Sequence, residues 1–185
     1  MHNDVEKILV SETEIQAICQ TLGHQISKDY HNSTPILLGL LKGCIPFMAD
    51  LMKRIDIPVE ILFMAVSSYH GGIKSSGDVK IKYDLEVSII GRDIIIVEDI
   101  VDTGSTVDTI SKMLYHRGAK SVKVATLLDK PSGRVVEFKP DYIGKTIPKE
   151  FVIGYGLDFN ELYRNLPYVG VLKPAVYQKK ESLNE

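Results

Sequence analysis

The stretch Ile94-Ile95-Ile96-Val97-Glu98-Asp99-Ile100-Val101-Asp102-Thr103-Gly104-Ser105-Thr106 is the most informative in the chain. Ile94 to Val97 form a continuous apolar run with no polar alternation, the pattern of a central strand buried on both faces. Three carboxylates follow within five residues, and a Thr-Gly-Ser-Thr turn then opens a segment in which Val107, Ile110 and Leu114 recur at helical spacing. This order puts the acidic turn at the carboxyl end of a strand, where an open parallel sheet forms its ligand crevice. Gly104 and its hydroxyl neighbours let backbone N–H groups converge at a helix N-terminus, a ready site for an anion. No Lys or Arg lies between Arg92 and Lys112, so amides and hydroxyls are expected to hold that anion.

Outward from this stretch the same grammar repeats. Ile36 to Leu41 is a second apolar run, followed by a helix near Phe47 to Ile55 and a strand from Val59 to Val66. The later cycle reads as a strand from Asp93 to Glu98, a helix from Ser105 to Arg117 ended by Gly118, and a strand from Val122 to Leu128. Near the start, Ser11-Glu12-Thr13-Glu14 has the form of a capping box, and Ile15, Ile18, Leu22, Ile26 and Tyr30 set one apolar stripe behind it. Strands alternating with helices predict an α/β fold, an open and mainly parallel twisted sheet with helices on both faces. The segment from Ser67 to Lys82, polar and with three glycines, interrupts the alternation and reads as a functional loop.

Composition narrows the class. With 185 residues a single domain is expected, and 44% hydrophobic and 25% charged residues exclude a disordered, collagenous or coiled-coil chain. A net charge of -2 argues against a protein that holds nucleic acid by neutralising phosphates. Cys19 and Cys44 form no CxxC or Cys/His cluster, so neither a zinc site nor a disulfide framework is expected. The N-terminal Met-His-Asn-Asp-Val-Glu-Lys has no basic-then-apolar order, and no apolar run approaches the ~20 residues that span a bilayer, so a cytoplasmic location without membrane contact is expected.

Three carboxylates beside an anion site would repel the ligand unless they accept hydrogen bonds from neutral sugar hydroxyls or act through a divalent cation. Either resolution points to a phosphorylated sugar. Neither G-x-G-x-x-G after a strand nor G-x-x-x-x-G-K-[ST] occurs, which disfavours a dinucleotide or P-loop site.

Val97-Glu98-Asp99-Ile100-Val101-Asp102-Thr103-Gly104-Ser105-Thr106 resembles the phosphoribosyl-diphosphate-binding motif of the type I phosphoribosyltransferases. Leu41-Lys42-Gly43, Ser68-Tyr69, Leu127-Leu128-Asp129-Lys130-Pro131 and Phe151-Val152-Ile153-Gly154-Tyr155-Gly156-Leu157-Asp158 are similar to segments of the hypoxanthine-guanine branch, in the same order from about residue 8 to residue 172. The resemblance implies that Glu98 and Asp99 meet the ribose hydroxyls, that Asp102, Thr103, Gly104, Ser105 and Thr106 hold the 5-phosphate, and that Asp102 is the general base. It implies diphosphate contacts from Lys42, Gly43 and Arg164, with a cis Leu41–Lys42 peptide common in the family. Lys130, Phe151, Val152 and Asp158 correspond to the base-binding residues. Mg²⁺ is implied as cofactor, with Glu98, Asp99 and Asp158 as its carboxylates.

The resemblance further implies one domain over residues 1–185, a mobile lid over about 67–82 that includes Ser68 and Tyr69, and a small hood built from the C-terminal segment and N-terminal elements. A homo-oligomer, dimer or tetramer, is implied too. His70, inside the lid, is read as exposed and incidental. The rival reading keeps the fold but makes the chain a phosphoribosyl-diphosphate-sensing regulator that binds nucleic acid. The balanced charge and the joint presence of Lys130, Phe151 and Asp158 argue against it. A receiver-type domain needs its acidic pair at the first strand, whereas this cluster follows a late one.

Overall fold

The computed structural model describes residues 1–68 and 79–181. Six strands, β2 (Ile36–Leu41), β3 (Glu60–Ser68), β4 (Val79–Tyr83), β5 (Asp93–Val101), β6 (Ser121–Asp129) and β7 (Tyr142–Thr146), form the main sheet in the order β4-β3-β2-β5-β6-β7. All neighbours run parallel except β3 and β4. Helices α1 (Glu12–Asp29) and α2 (Ile45–Met52) share a core with Leu37, Ile95, Val97 and Leu127 on one side. Helix α3 (Ser105–His116) packs with Ile36, Leu38, Ile94, Ile96 and Val124 on the other. Because β2 and β5 are apolar at both odd and even positions, each face of the sheet has its own hydrophobic layer. The expected sheet with helices on both faces is the one observed.

A second, three-stranded antiparallel sheet joins β1 (Val5–Val10), β9 (Val169–Leu172) and β8 (Val152–Ile153) in the order β1-β9-β8. It ties the two ends of the chain together, and α4 (Pro174–Glu181) follows it. Helix α4 has no clear apolar stripe, which is why the sequence does not announce it; Val176 and Tyr177 alone among its described side chains join the small core around Ile153, Leu166 and Leu172.

Local signals behaved as their chemistry requires. The Ser11 hydroxyl accepts from the Glu14 amide at 3.3 Å while the Glu14 carboxylate accepts from the Ser11 amide at 2.8 Å, a complete capping box. Two boundaries differ from expectation. Helix α2 covers Ile45–Met52 rather than Phe47 to Ile55, because Pro46 suits the first helical turn and the chain leaves the helix at Lys53. Strand β5 runs on to Val101, with Glu98 opposite Thr126 and Val101 opposite Asp129. Glu98 and Asp99 therefore stand on the strand itself, and only Asp102 lies in the turn.

Cys19 and Cys44 are buried free thiols, which burial pushes up to about 11 and about 12. Among the described residues no helix is long and apolar enough to cross a membrane. Ser68 is the last residue of β3, while Tyr69, His70 and the rest of the expected lid up to residue 78 lie outside the described residues.

Candidate active site

The strand end and the turn after it hold the acids in two distinct environments. Glu98 is buried, and desolvation, reinforced by the charge of neighbouring Asp99, pushes its carboxyl well above the usual range. Burial also raises Asp99, to about 6, against the opposing effect of a 2.7 Å hydrogen bond accepted from the Ile100 amide. Asp99 leans so closely over Gly43 that a Cβ there would lie 1.7 Å from its Oδ2.

Beyond Val101 the chain turns through Asp102 and Thr103 to Gly104, which takes φ +80° in the left-handed region that favours glycine. Thr103 Oγ1 accepts from the Ser105 amide at 3.3 Å. The N-cap, Gly104, has no side chain to fold back on α3, so beyond Ser105 the amides of its first turn remain available to an anion. A cavity of ≈ 120 Å³ opens here, lined by Glu98, Asp102, Thr103, Gly104 and Thr106 among others. Ser105 starts the helix beside it.

Asp102 is not solitary. Its Oδ2 is paired with the Lys130 ammonium, and Gly133 presents bare backbone to its Oδ1, where a Cβ would stand 1.7 Å away. Arg134 donates to the carbonyls of both Val101 and Asp102. The absence of a nearby lysine or arginine in the sequence is thus made good by cations 28 and 32 positions further along the chain than Asp102.

An adjoining cleft of ≈ 410 Å³ collects Lys42, Gly43, Asp99, Asp158, Glu161 and Arg164. The Leu41–Lys42 peptide is cis. Lys42 Nζ lies 2.8 Å from Glu161 Oε2, and Arg164 lies 2.8 Å from Asp158 Oδ1 and 3.4 Å from Glu161 Oε1. Asp158 Oδ2 accepts from the Glu161 amide at 2.8 Å, and Arg164 also donates to the Gly156 carbonyl at 2.7 Å. Asn160, Glu161 and Tyr163 all have positive φ, so the turn that carries these groups is tightly wound. Arg164 Nε is buried with no hydrogen-bond partner among the described residues.

Val152, in β8 of the small sheet, and Phe151, just before it, are not among the residues that line these two cavities. Val152 is buried in β8; Phe151 is 42% exposed, with its ring stacked on Tyr177 at 5.2 Å and edge-on to Phe159 at 5.6 Å. The structure thus gathers Glu98, Asp102, Thr103, Gly104 and Thr106 around one cavity, with Ser105 beside it, and Lys42, Gly43, Asp99, Asp158 and Arg164 around the next, which Glu98 also lines. Lys130 joins them through Asp102. Arg134, Gly133 and Glu161 were not singled out from sequence, since nothing local distinguishes them from ordinary loop residues.

Residues 7–160 match the phosphoribosyl transferase domain family. The chain belongs to that family. Among phosphoribosyl transferases, it is similar to a hypoxanthine-guanine phosphoribosyltransferase of Lactococcus lactis subsp. lactis (strain IL1403), 58% identical over 175 residues and 95% of each chain. A crystal structure of a hypoxanthine phosphoribosyltransferase from Staphylococcus aureus is 52% identical, with a TM-score of 0.92 over 96% of both chains. A Trypanosoma cruzi hypoxanthine phosphoribosyl transferase, studied for the role of its C-terminal region in oligomeric state and enzymatic activity, is 40% identical with a TM-score of 0.92 over 98% of both chains. The phosphoribosyl transferase fold inferred from sequence is therefore the fold this chain has.

Proposed function

We propose that this chain is a purine-salvage enzyme that transfers the 5-phosphoribosyl group of 5-phospho-α-D-ribose 1-diphosphate to hypoxanthine or guanine, giving IMP or GMP and releasing diphosphate. The observation that carries the reading is the adjacency of a helix N-terminus with open amides beyond Ser105, two strand-borne acids and a cleft that sets Lys42 and Arg164 among acids, with one carboxylate, Asp102, bridged to Lys130 at their edge.

In this reading the amides and hydroxyls of Thr103 to Thr106 bind the 5-phosphate, and Glu98 and Asp99 meet the ribose diol. Lys42, the Gly43 backbone and the planar fork of Arg164 take the diphosphate. Lys130 donates to the 6-oxo group of the purine, Phe151 stacks on the ring system, and Val152 and Asp158 complete the base edge. A purine ring nitrogen attacks the anomeric carbon as the bond to diphosphate oxygen breaks, and the proton on the imidazole ring passes to Asp102. An ammonium has donors only, so it suits the 6-oxo acceptor and meets a donor in adenine.

Mg²⁺ belongs to the proposal. Among the described residues no three His, Cys, Asp or Glu side chains gather as a ligand set, which disfavours an all-protein cage. Asp99 and Asp158 instead line one cleft, and magnesium binds through one or two carboxylates plus substrate oxygens and water. The ion when bound neutralises diphosphate charge as it leaves; Asp99 and Asp158 are the groups that would hold it, with Glu98 beside them. A dimer or tetramer is proposed as well, and light scattering reads it directly.

One assay tests the function: phosphoribosyl diphosphate and Mg²⁺ against hypoxanthine, guanine, xanthine, adenine and uracil. Turnover of hypoxanthine and guanine with adenine lower by a factor that reaches ~10⁴ when a site leaves polar groups unpaired is the expected result. Equal use of adenine would remove the role given to Lys130.

A further inference from the structure

Arg134 is an arginine with little access to water. Its side chain is 14% exposed, and its nitrogens reach four acceptors: the Phe138 carbonyl at 3.1 Å, the Val101 carbonyl at 2.6 Å, the Asp102 carbonyl, and Oδ1 of Asp129. Asp129 is 8% exposed at the end of β6, directly opposite Val101 in the sheet register. A guanidinium drawn this far out of water needs hydrogen bonds and a counter-charge to compensate for lost hydration, and this one is compensated by the two strand ends beside the catalytic turn.

The rest of the segment follows the same line. The Lys130 amide donates to the Val101 carbonyl and the Val135 amide to the Thr103 carbonyl, both at 3.0 Å, while Gly133 packs its backbone against the Asp102 carboxylate. In a trans peptide the C=O and N–H point in opposite directions. Drawing the carbonyls of Val101 and Asp102 towards Arg134 therefore turns the next two amides, those of Asp102 and Thr103, away from it. Successive amides oriented alike form the concave amide surface that anions favour. Fixing the Asp102 peptide also fixes the point from which its side chain leaves the backbone.

We infer that Arg134, braced by Asp129, is a positioning residue for Asp102: it touches neither substrate nor reacting atoms, and sets the peptide geometry from which the general base works. The inference rests on the reading of Asp102 as that base. A general base must lie within hydrogen-bond reach of its proton, and misplacement by about 1 Å can cost about a hundredfold in rate.

The experiment compares wild type, Arg134→Lys, Asp102→Asn and the double variant by steady-state kinetics, with circular dichroism as the folding control. Arg134→Lys keeps the charge and loses the planar fork. Its kcat is expected to fall about ten- to hundredfold, with KM for hypoxanthine within about threefold of wild type. In the Asp102→Asn background the same change is expected to cost less than about threefold. A folded Arg134→Lys protein with kcat within twofold of wild type overturns the inference, and so does an equal loss in both backgrounds. Should Arg134→Lys fail to fold, Asp129→Asn with Arg134→Gln, which removes both charges together, is read by the same criteria. Failure of the functional reading is separate: the wild type itself would then transfer no phosphoribosyl group.

Discussion

The Lys42 ammonium donates to the Glu161 carboxylate at 2.8 Å across 119 positions of sequence, and the same carboxylate lies 3.4 Å from Arg164. Glu161 thus stands between the two cations assigned to diphosphate. The nearby cations hold its carboxyl below the usual range, with Lys42 the foremost cause. The Lys42 and Glu161 side chains are 64% and 63% exposed, so the contact is screened and readily exchanged. Glu161→Gln is expected to tighten inorganic diphosphate by about two- to fivefold at low salt, the range an exposed pair can compete for. Calorimetric titration with and without Mg²⁺ checks this. Weaker binding would make Glu161 a ligand rather than a competitor.

Asp102→Asn keeps the shape of the side chain, and the Lys130 partner loses its counter-charge. Turnover is expected to drop at least about tenfold, within the contribution a placed general base makes, while phosphoribosyl diphosphate still binds. Single-turnover kinetics separate the two steps, and near-normal turnover would remove the assignment.

Asp99 predicts an unusual pH dependence for the ligand-free protein. Its carboxyl rises from 3.8 to about 6 on folding, so the folded state binds more protons than the unfolded chain between those values, and stability falls as pH climbs through that window. Glu98 shifts in the same direction. Carboxylates held low, such as Glu14 at about 2, lose their contribution only below the ordinary 4.5. The melting temperature is therefore expected to rise on going from pH 7 to pH 5. Asp99→Asn is expected to gain about 2–4 °C at pH 7, the effect of ~1 kcal/mol in a domain of this size, and to flatten the profile. A loss of stability at pH 7 would contradict burial as the cause.

Gly43→Ala tests how closely the two halves of the site approach. The added methyl would enter the space of Asp99 Oδ2, so the carboxylate has to swing away. Turnover is expected to fall by at least about tenfold, with the far-ultraviolet spectrum unchanged, since a displacement of this size is enough to spoil alignment. Wild-type turnover would show that Asp99 has room the structure does not offer.

The parts of the site that were readable in advance are those whose chemistry is local. An unbroken apolar run, a small-residue turn and a helical repeat lie within twenty-one residues from Ile94 to Leu114, and each is set by neighbours along the chain. The capping box at Ser11 is legible for the same reason. Strand β5 was expected to end at Glu98 rather than Val101, because Asp99 is a poor strand former in isolation and hides Ile100 and Val101 behind it. Pairing with β6 keeps them in the ladder, and that pairing is invisible in a window of sequence.

By itself the sequence determined the class of fold, the crevice at the end of β5, the small-residue turn that follows it, and, through resemblance, most of the residues assigned to substrate. Only the tertiary structure decided what surrounds them. Lys130 against Asp102, Arg134 across Val101 and Asp129, Glu161 on Lys42, and the union of β1 with β9 all join segments that the chain keeps apart. The physical reason is that a charge or hydrogen-bond partner acts over a few ångströms of space, whereas a sequence records only order. Two residues more than a hundred positions apart become partners when strand pairing and packing have already brought their backbones together.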